Sequence, residues 1–386
     1  LLPELPDDAV AESTALALLG LTGAGLGEAS GGSGAACTPT FSNGLYTGCD
    51  LSASFTGLVS TPYGPAQGST TSAYTDATGN AARFRFPYGI TTDGTNLYVA
   101  DQGNNVIRQI AIATGVVTTL AGSGAAGDAD GTGTGAQFRT PAGITTDGTN
   151  LYVVDAANHK IRQIVIATGV VTTLAGAAPG SNPSGYIDAT GNAARFDTPL
   201  GITTDGTNLF VCGYSHYVRQ IVIATRAVTT LAGTGGAGDA DGTGTAASFD
   251  QPSDLVTDGT YVYVSDSGNN KIRRVEVASR VVTTPYGPAS GSTAFGAEAA
   301  FGNAARFNNL VGITTDGINL YVADTSNNKI RRVETATGAV TTLAGDGGTG
   351  DTDGTPGRFS LPRGIVSNAT SLFVADLNNN KIRQVD

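Results

Sequence analysis

Methionine and tryptophan are absent from this chain, histidine occurs only twice and cysteine three times. Charged residues make up 14% of the 386 positions, against about 25% in ordinary soluble domains. The 21 Lys and Arg are outnumbered by 32 Asp and Glu, a formal net charge of −11. No broad basic surface is left to displace counterions, which argues against a nucleic-acid partner. Nor does any run reach the roughly 18 apolar residues of a membrane-spanning helix. The cysteines lack a CxxC spacing and the histidines are few, so a structural zinc site is disfavoured. Cys37 and Cys49 enclose a short Gly/Ser/Thr-rich loop, whereas Cys212 stands alone. A Cys37–Cys49 disulfide would suit an oxidising compartment, two free thiols being the other reading. The chain begins Leu1-Leu2-Pro3 without Met, so a processed N-terminus and a secreted or cell-surface location are expected.

What the chain has in abundance is repetition. Passages similar to GITTDGTNLYVADQGNNVIRQIAIATGVVTTLAG start at Gly89, Gly143, Gly201, Asp254, Gly312 and Gly364, at offsets of 54, 58, 53, 58 and 52 residues. Such a period marks a repeat architecture. Each unit parses into four strands, GITT, NLYVA, KIRQI and VVTTLAG, punctuated by Asp-Gly and Thr-Gly turns where glycine accepts positive φ. Both faces of the second strand are apolar, Leu97 and Val99 on one and Tyr98 and Ala100 on the other. A strand apolar on both faces suits a blade packed between two neighbours, and radial repetition of four-stranded units describes a β-propeller.

The ends of the chain support closure. The sixth unit stops at Asp386 without a fourth strand, while Leu58-Val59-Ser60-Thr61-Pro62-Tyr63 matches the fourth strand Val281-Val282-Thr283-Thr284-Pro285-Tyr286. Residues 58–63 are therefore expected to complete blade 6. The fold expected is all-β: a six-bladed propeller over 58–386, preceded by an N-terminal extension over 1–57.

The pattern P-x-G-I-x-x-D-G, L-Y-V-A-D-x-x-N-N-x-I-R and G-x-V-T-T-L-A-G, followed by G-D-x-D-G-T and A-x-F-x-x-P, resembles the NHL-repeat family over roughly residues 58–386. The resemblance implies the fold and says little about activity. Members include protein- and RNA-binding modules, a copper/zinc lyase and bacterial surface proteins. Fold analogy alone does not choose among them. The lyase chemistry is not supported here, because two histidines are too few for its metals.

Six copies permit an internal comparison. Residues kept in every blade are expected to maintain the blade; residues that depart from the repeat are better site candidates. The second-strand aspartates (Asp101, Asp155, Asp266, Asp324, Asp376) and the third-strand arginines (Arg108 and its equivalents) belong to the first class. Their expected work is capping the following turn and Arg–Asp pairing. The interblade carboxylates Asp128, Asp130, Asp239, Asp241, Asp351 and Asp353 resemble the start of a calcium loop but lack its later Glu. Turn chemistry is the favoured reading, and no cofactor is expected.

Blade 3 departs most, carrying Cys212, Tyr214, His216 and Tyr217 where others read VADxxNNKIR; blade 2 carries the other histidine, His159. These residues are expected on the face that carries the interblade loops; simple drift is the leading reading of the departures, with an aromatic contact patch or a two-His metal pair as the functional ones. The residues preceding the first-strand glycines, Tyr88 and Arg363 among them, should ring the channel mouth. No Ser-His-Asp grouping and no phosphate loop is legible.

Residues 1–57 read as a short helix from a cap at Asp7 or Asp8, then a Gly/Ser tether, then the cysteine loop. The apolar Val10, Leu16, Leu18 and Leu19 are the candidate contacts of an assembly arm, a self-packed leader being the alternative. Head-to-tail docking of such an arm generates filaments when it does not close. The function expected is therefore a secreted, non-enzymatic scaffold or binding propeller with protein partners, including further copies of itself. The alternative is a metal-dependent lyase or hydrolase at the channel mouth.

Overall fold

A computed structural model describes residues 40–42, 45–47, 55–297 and 299–386. Within 55–386 the chain forms six antiparallel sheets of four or five strands, arranged as the blades of a propeller. In blade 1 the inner strand Pro87–Thr92 is followed outward by Asn96–Asp101, Val106–Ala111 and Val116–Ala121. Four blades gain a two-residue outermost strip from the interblade loop: Ala77–Thr78, Gly131–Thr132, Gly242–Thr243 and Ala300–Phe301. Ahead of the propeller, Thr40–Ser42 pairs antiparallel with Leu45–Thr47. The candidate disulfide Cys37–Cys49 and the arm residues Val10, Leu16, Leu18 and Leu19 lie outside the described residues.

The strand completing blade 6 is the expected one. Val59–Tyr63 pairs with Lys381–Val385, matching Val59 to Val385 and Tyr63 to Ile382. The seal begins earlier than residue 58. Phe55 meets Tyr321 edge-to-face at 5.2 Å, and the Thr56 hydroxyl donates to the Asp386 carbonyl at 2.8 Å. Burial of Val59 and Tyr63 at this junction closes the ring hydrophobically as well as through the ladder.

The core lies between blades. Tyr98, Ala100 and Ile107 of blade 1 pack against Ile144, Leu151, Val153 and Ile164 of blade 2, and the same arrangement recurs around the ring. At the axis the inner strands approach so closely that side chains are excluded. A Cβ on Gly89 would lie 2.3 Å from the Ala142 carbonyl oxygen, and one on Gly312 would lie 2.0 Å from that of Arg363. Such distances permit only glycine unless the backbone shifts, which is the physical content of the recurring P-x-G. Blade 4 alone has a side chain at this level, Asp254, and the blade 5 inner strand facing it is shortened to Ile313–Thr315.

Each blade is also pinned by one buried arginine. Arg108 donates to Asp101 at 3.0 Å, to Asp76 at 2.8 Å and to the carbonyls of Arg83 and Thr75, and it covers the Phe84 ring at 5.0 Å. The second-strand aspartate is not primarily a cap of the turn that follows it, as its position in the repeat suggested. Asp101 Oδ1 accepts the N–H of Arg85, sixteen residues upstream, while Oδ2 takes Asn104 and Arg108. It thereby ties the incoming interblade loop to strands two and three. Blade 3 has Gly213 in that place, where a Cβ would meet the Thr198 carbonyl at 2.5 Å, and Arg219 keeps Asp188.

Candidate functional site

The two histidines illustrate how the repeat absorbs apparent departures. Every turn between strands two and three ends on a residue with left-handed backbone: Asn105, His159, His216, Asn270, Asn328 and Asn380, with φ from 51° to 60°. Each side chain accepts one backbone N–H from the next blade. Thr140 donates to Asn105 at 3.0 Å, Thr198 to His159 Nδ1 at 3.0 Å and Gln251 to His216 Nδ1 at 3.2 Å. Asn309, Leu361 and Phe86 donate to Asn270, Asn328 and Asn380, so the last bond returns to blade 1. His159 and His216 thus serve separate interblade bonds, and their Nδ1 atoms are occupied. Burial holds the His159 pKa below the ordinary 6.5, with Asp197 opposing, which keeps the acceptor nitrogen unprotonated. Among the described residues no group of three or more His, Cys, Asp or Glu could hold a metal ion.

The Asp-x-Asp loops are likewise engaged. The first carboxylate of each meets a buried lysine (Asp128 with Lys160, Asp239 with Lys271, Asp351 with Lys381). The second meets the blade arginine: Asp130 with Arg162 at 2.8 Å, Asp241 with Arg273 at 2.9 Å and Asp353 with Arg383 at 2.7 Å. A calcium ion would have to displace these cations. The pairing leaves a trace in the sequence itself. Where Lys is replaced by Val106 or Tyr217, the loop carries Tyr74 or Tyr186 in place of Asp. Tyr217 stacks on Tyr186 with ring centroids 3.7 Å apart and an interplanar angle of 8°. Tyr217 is therefore a framework residue, whereas Tyr214, 51% exposed, projects from the turn.

The departures that remain gather at the axial mouth. Tyr88 of blade 1 and Arg363 of blade 6 come together there, the guanidinium 5.5 Å from the ring centroid. Burial pushes the Tyr88 hydroxyl up to about 12, with Arg363 opposing. Phe86, two residues before Tyr88, is 42% exposed, and Tyr214 lies near enough to Tyr88 to bear on its ionisation. Beneath them a narrow neck of about 20 Å³ is lined by Tyr88, Leu200, Ser253, Asp254 and Val311 together with Gly89, Gly143 and Gly364. A larger chamber of about 120 Å³ runs on toward the opposite face, walled by isoleucines and threonines. Asp254 lines both, at the neck between them. Burial pushes its carboxyl up to about 7, while the N–H groups of Leu255 and Ile313 oppose that rise. Sequence comparison of the blades singled out Tyr88 and Arg363 but passed over Asp254, although DLVT for GITT was visible as a substitution in an otherwise constant place.

Known proteins match over most of the chain. NHL repeat-containing protein 2 of Bos taurus is 29% identical over 339 residues, covering 78% of this chain and 46% of its own length. The Arabidopsis thaliana protein SUPPRESSOR OF QUENCHING 1, chloroplastic is 28% identical over 78% of this chain and 30% of its own length. No protein-family model matches.

The chain is an NHL-repeat six-bladed β-propeller.

This NHL propeller spans less than half the length of the curated relatives it matches. Among solved structures, an auxiliary nutrient binding protein of Bacteroides thetaiotaomicron superposes with a TM-score of 0.64 at 18% identity, over 85% of this chain and 76% of that one. A structural genomics protein of unknown function from the same organism gives 0.63 at 19%, over 85% and 75%. Likeness at this identity bears on the fold.

Proposed function

We propose that this NHL propeller is a non-enzymatic binding protein whose contact surface is the rim of the axial mouth. One observation carries the reading. Departures from the repeat elsewhere are taken up in interblade bonds and stacked pairs, whereas Phe86, Tyr88, Tyr214 and Arg363 are left around one opening. Aromatic residues and arginine are the types that dominate protein contact energies. A partner protein is the ligand class this rim suits. The Bacteroides thetaiotaomicron protein that shares this fold is a nutrient binding protein, which agrees with a binding role.

Secretion or display at the cell surface belongs to the same proposal, supported by the acidic low-charge composition and the Cys37–Cys49 spacing. So does assembly, in which the apolar stretch containing Val10, Leu16, Leu18 and Leu19 of one copy docks on the rim of the next. The lyase alternative draws no support from the described residues. The test is native mass by light scattering on three proteins: the full chain, a chain starting at residue 55, and the full chain carrying Phe86→Ala and Tyr214→Ala. Large particles for the first and monomers for the other two are expected. A monomeric full chain removes the assembly reading, and full-size particles from the rim variant remove the rim from it.

A further inference from the structure

The chamber below the neck holds polar groups that the fold leaves unused. Thr91, Thr145, Thr203 and Thr314 stand at one level of the first strands, line the chamber and are each at most 9% exposed. Among the described residues none of their hydroxyls has a hydrogen-bond partner. The threonines one residue further on differ: Thr92, Thr146, Thr204 and Thr315 donate to the carbonyls of Asn96, Asn150, Asn208 and Asn319 at 2.8 to 2.9 Å. A buried hydroxyl that bonds nothing is costly unless an occupant of the cavity meets it.

Asp254 adds a carboxylate at the neck end of the same chamber. It takes the place of Gly89, Gly143, Gly201, Gly312 and Gly364, so blade geometry does not need it. Its hydrogen bonds come from backbone groups, the Ile313 N–H at 3.3 Å from Oδ2 among them. Among the described residues no Lys or Arg nitrogen lies within 4 Å of it. No Lys, Arg or His is among the residues that line the chamber. The other carboxylate in the wall, Asp258, is held in a turn, where it accepts the N–H groups of Thr260 and Tyr261 at 2.9 and 2.7 Å. One residue beyond Asp254 runs an aliphatic belt of Ile90, Ile144, Ile202, Leu255, Ile313 and Ile365, and the free threonines follow. Down the axis the wall therefore reads carboxylate, aliphatic belt, hydroxyl level.

We propose that the chamber binds a short amino alcohol, its ammonium on Asp254, its methylenes in the aliphatic belt and its hydroxyl among Thr91, Thr145, Thr203 and Thr314. A carboxylate without a protein cation suits a monovalent ammonium, and hydrogen bonds between opposite charges are the strong ones. The two polar levels are two residues apart along the first strands, about 7 Å at roughly 3.3 Å per residue. Two or three methylenes with a hydrogen bond of about 2.8 Å at each end span that separation. The size agrees as well. The chamber has about 120 Å³, and a cavity of about 150 Å³ takes a molecule as large as benzene. A metal ion suits the chamber less, because it needs a shell of oxygen ligands and the belt beside Asp254 is aliphatic. This site goes beyond the rim reading and stands without it, since a small ligand in the chamber needs neither assembly nor a protein partner.

The experiment is calorimetric titration of the full chain with ethanolamine and with 3-aminopropanol. Propylamine, which lacks the hydroxyl, and ethylene glycol, which lacks the ammonium, serve as half-ligands of the same size as ethanolamine. At least one amino alcohol should bind, and both half-ligands should bind at least tenfold more weakly than it does. Asp254→Gly, and Thr145→Val combined with Thr203→Val, introduce residues that other blades carry at these levels, Val256 and Val366 among them. Both variants should therefore fold, as circular dichroism reports, and each should lose at least tenfold in affinity. No heat with either amino alcohol overturns the proposal, as does undiminished binding by either variant or equal binding of propylamine. Calcium chloride binding more tightly than both amino alcohols assigns a metal to the chamber and overturns it too. Light scattering of the same samples reports the rim reading separately, so failure of one is distinguishable from failure of the other.

Discussion

Replacing Asp254 by glycine makes blade 4 like the other five at the axis, and its effect on stability should reverse sign with pH. The folded carboxyl ionises near about 7 against an ordinary 3.8, so the folded state holds this proton more tightly than the unfolded chain. Stability contributed by this group is therefore intact in acid and lost as pH rises from about 4 to about 7. At 1.36 kcal/mol per pKa unit the loss amounts to about 4 kcal/mol above neutrality. Against this, the variant forgoes about 1 kcal/mol of hydrogen bonding to Ile313 and about 1 kcal/mol of backbone entropy. The net expectation is stabilisation by about 2 kcal/mol at about pH 8 and destabilisation by about 2 kcal/mol at about pH 4. The other buried carboxylates are common to both proteins and cancel in the difference. Urea unfolding followed by far-UV circular dichroism at both pH values measures this directly. A variant less stable than its parent at both, or a difference indifferent to pH, would refute the assignment of Asp254 as a buried, unpaired carboxyl.

The interblade bonds can be tested position by position. Asn270→Ala leaves the Asn309 N–H without its acceptor and puts alanine in a left-handed conformation, and should cost about 1 to 3 kcal/mol in urea unfolding. His159→Asn should be nearly neutral at about pH 8, because asparagine does this work in four other blades. It should also remove the part of the acid destabilisation that sets in as pH falls below about 6.5, where the unfolded histidine gains a proton that the folded one resists. Ring closure is testable by truncation. A chain starting at residue 55 should keep the parent midpoint, whereas one starting at residue 64 lacks Val59–Tyr63 and should lose at least about 5 kcal/mol of side-chain burial and ladder bonding. Restoration by an added peptide of residues 55–66 would confirm the strand's role; full stability without it would contradict that role.

The sequence by itself determined the six blades, their strands and the closing strand, because each depends on local periodicity and on turn residues that recur six times. Val59–Tyr63 was recognisable for the same reason: it copies a fourth strand found elsewhere in the chain. The partners of individual polar side chains were decided only by tertiary structure. His159 and His216 looked like departures because their types differ from asparagine. The bond they make depends on an acceptor atom and a left-handed backbone, which imidazole and amide both supply. Asp101 points back to a loop sixteen residues upstream, a contact that no pattern along the strand reveals. The axial mouth is assembled from the first strands of all six blades, so Tyr88, Asp254 and Arg363, spread over 275 positions of chain, become neighbours only when the ring closes. Asp254 was in plain view as a non-glycine among glycines. Its meaning required knowing that a Cβ at that level has no room elsewhere and opens onto the lumen here.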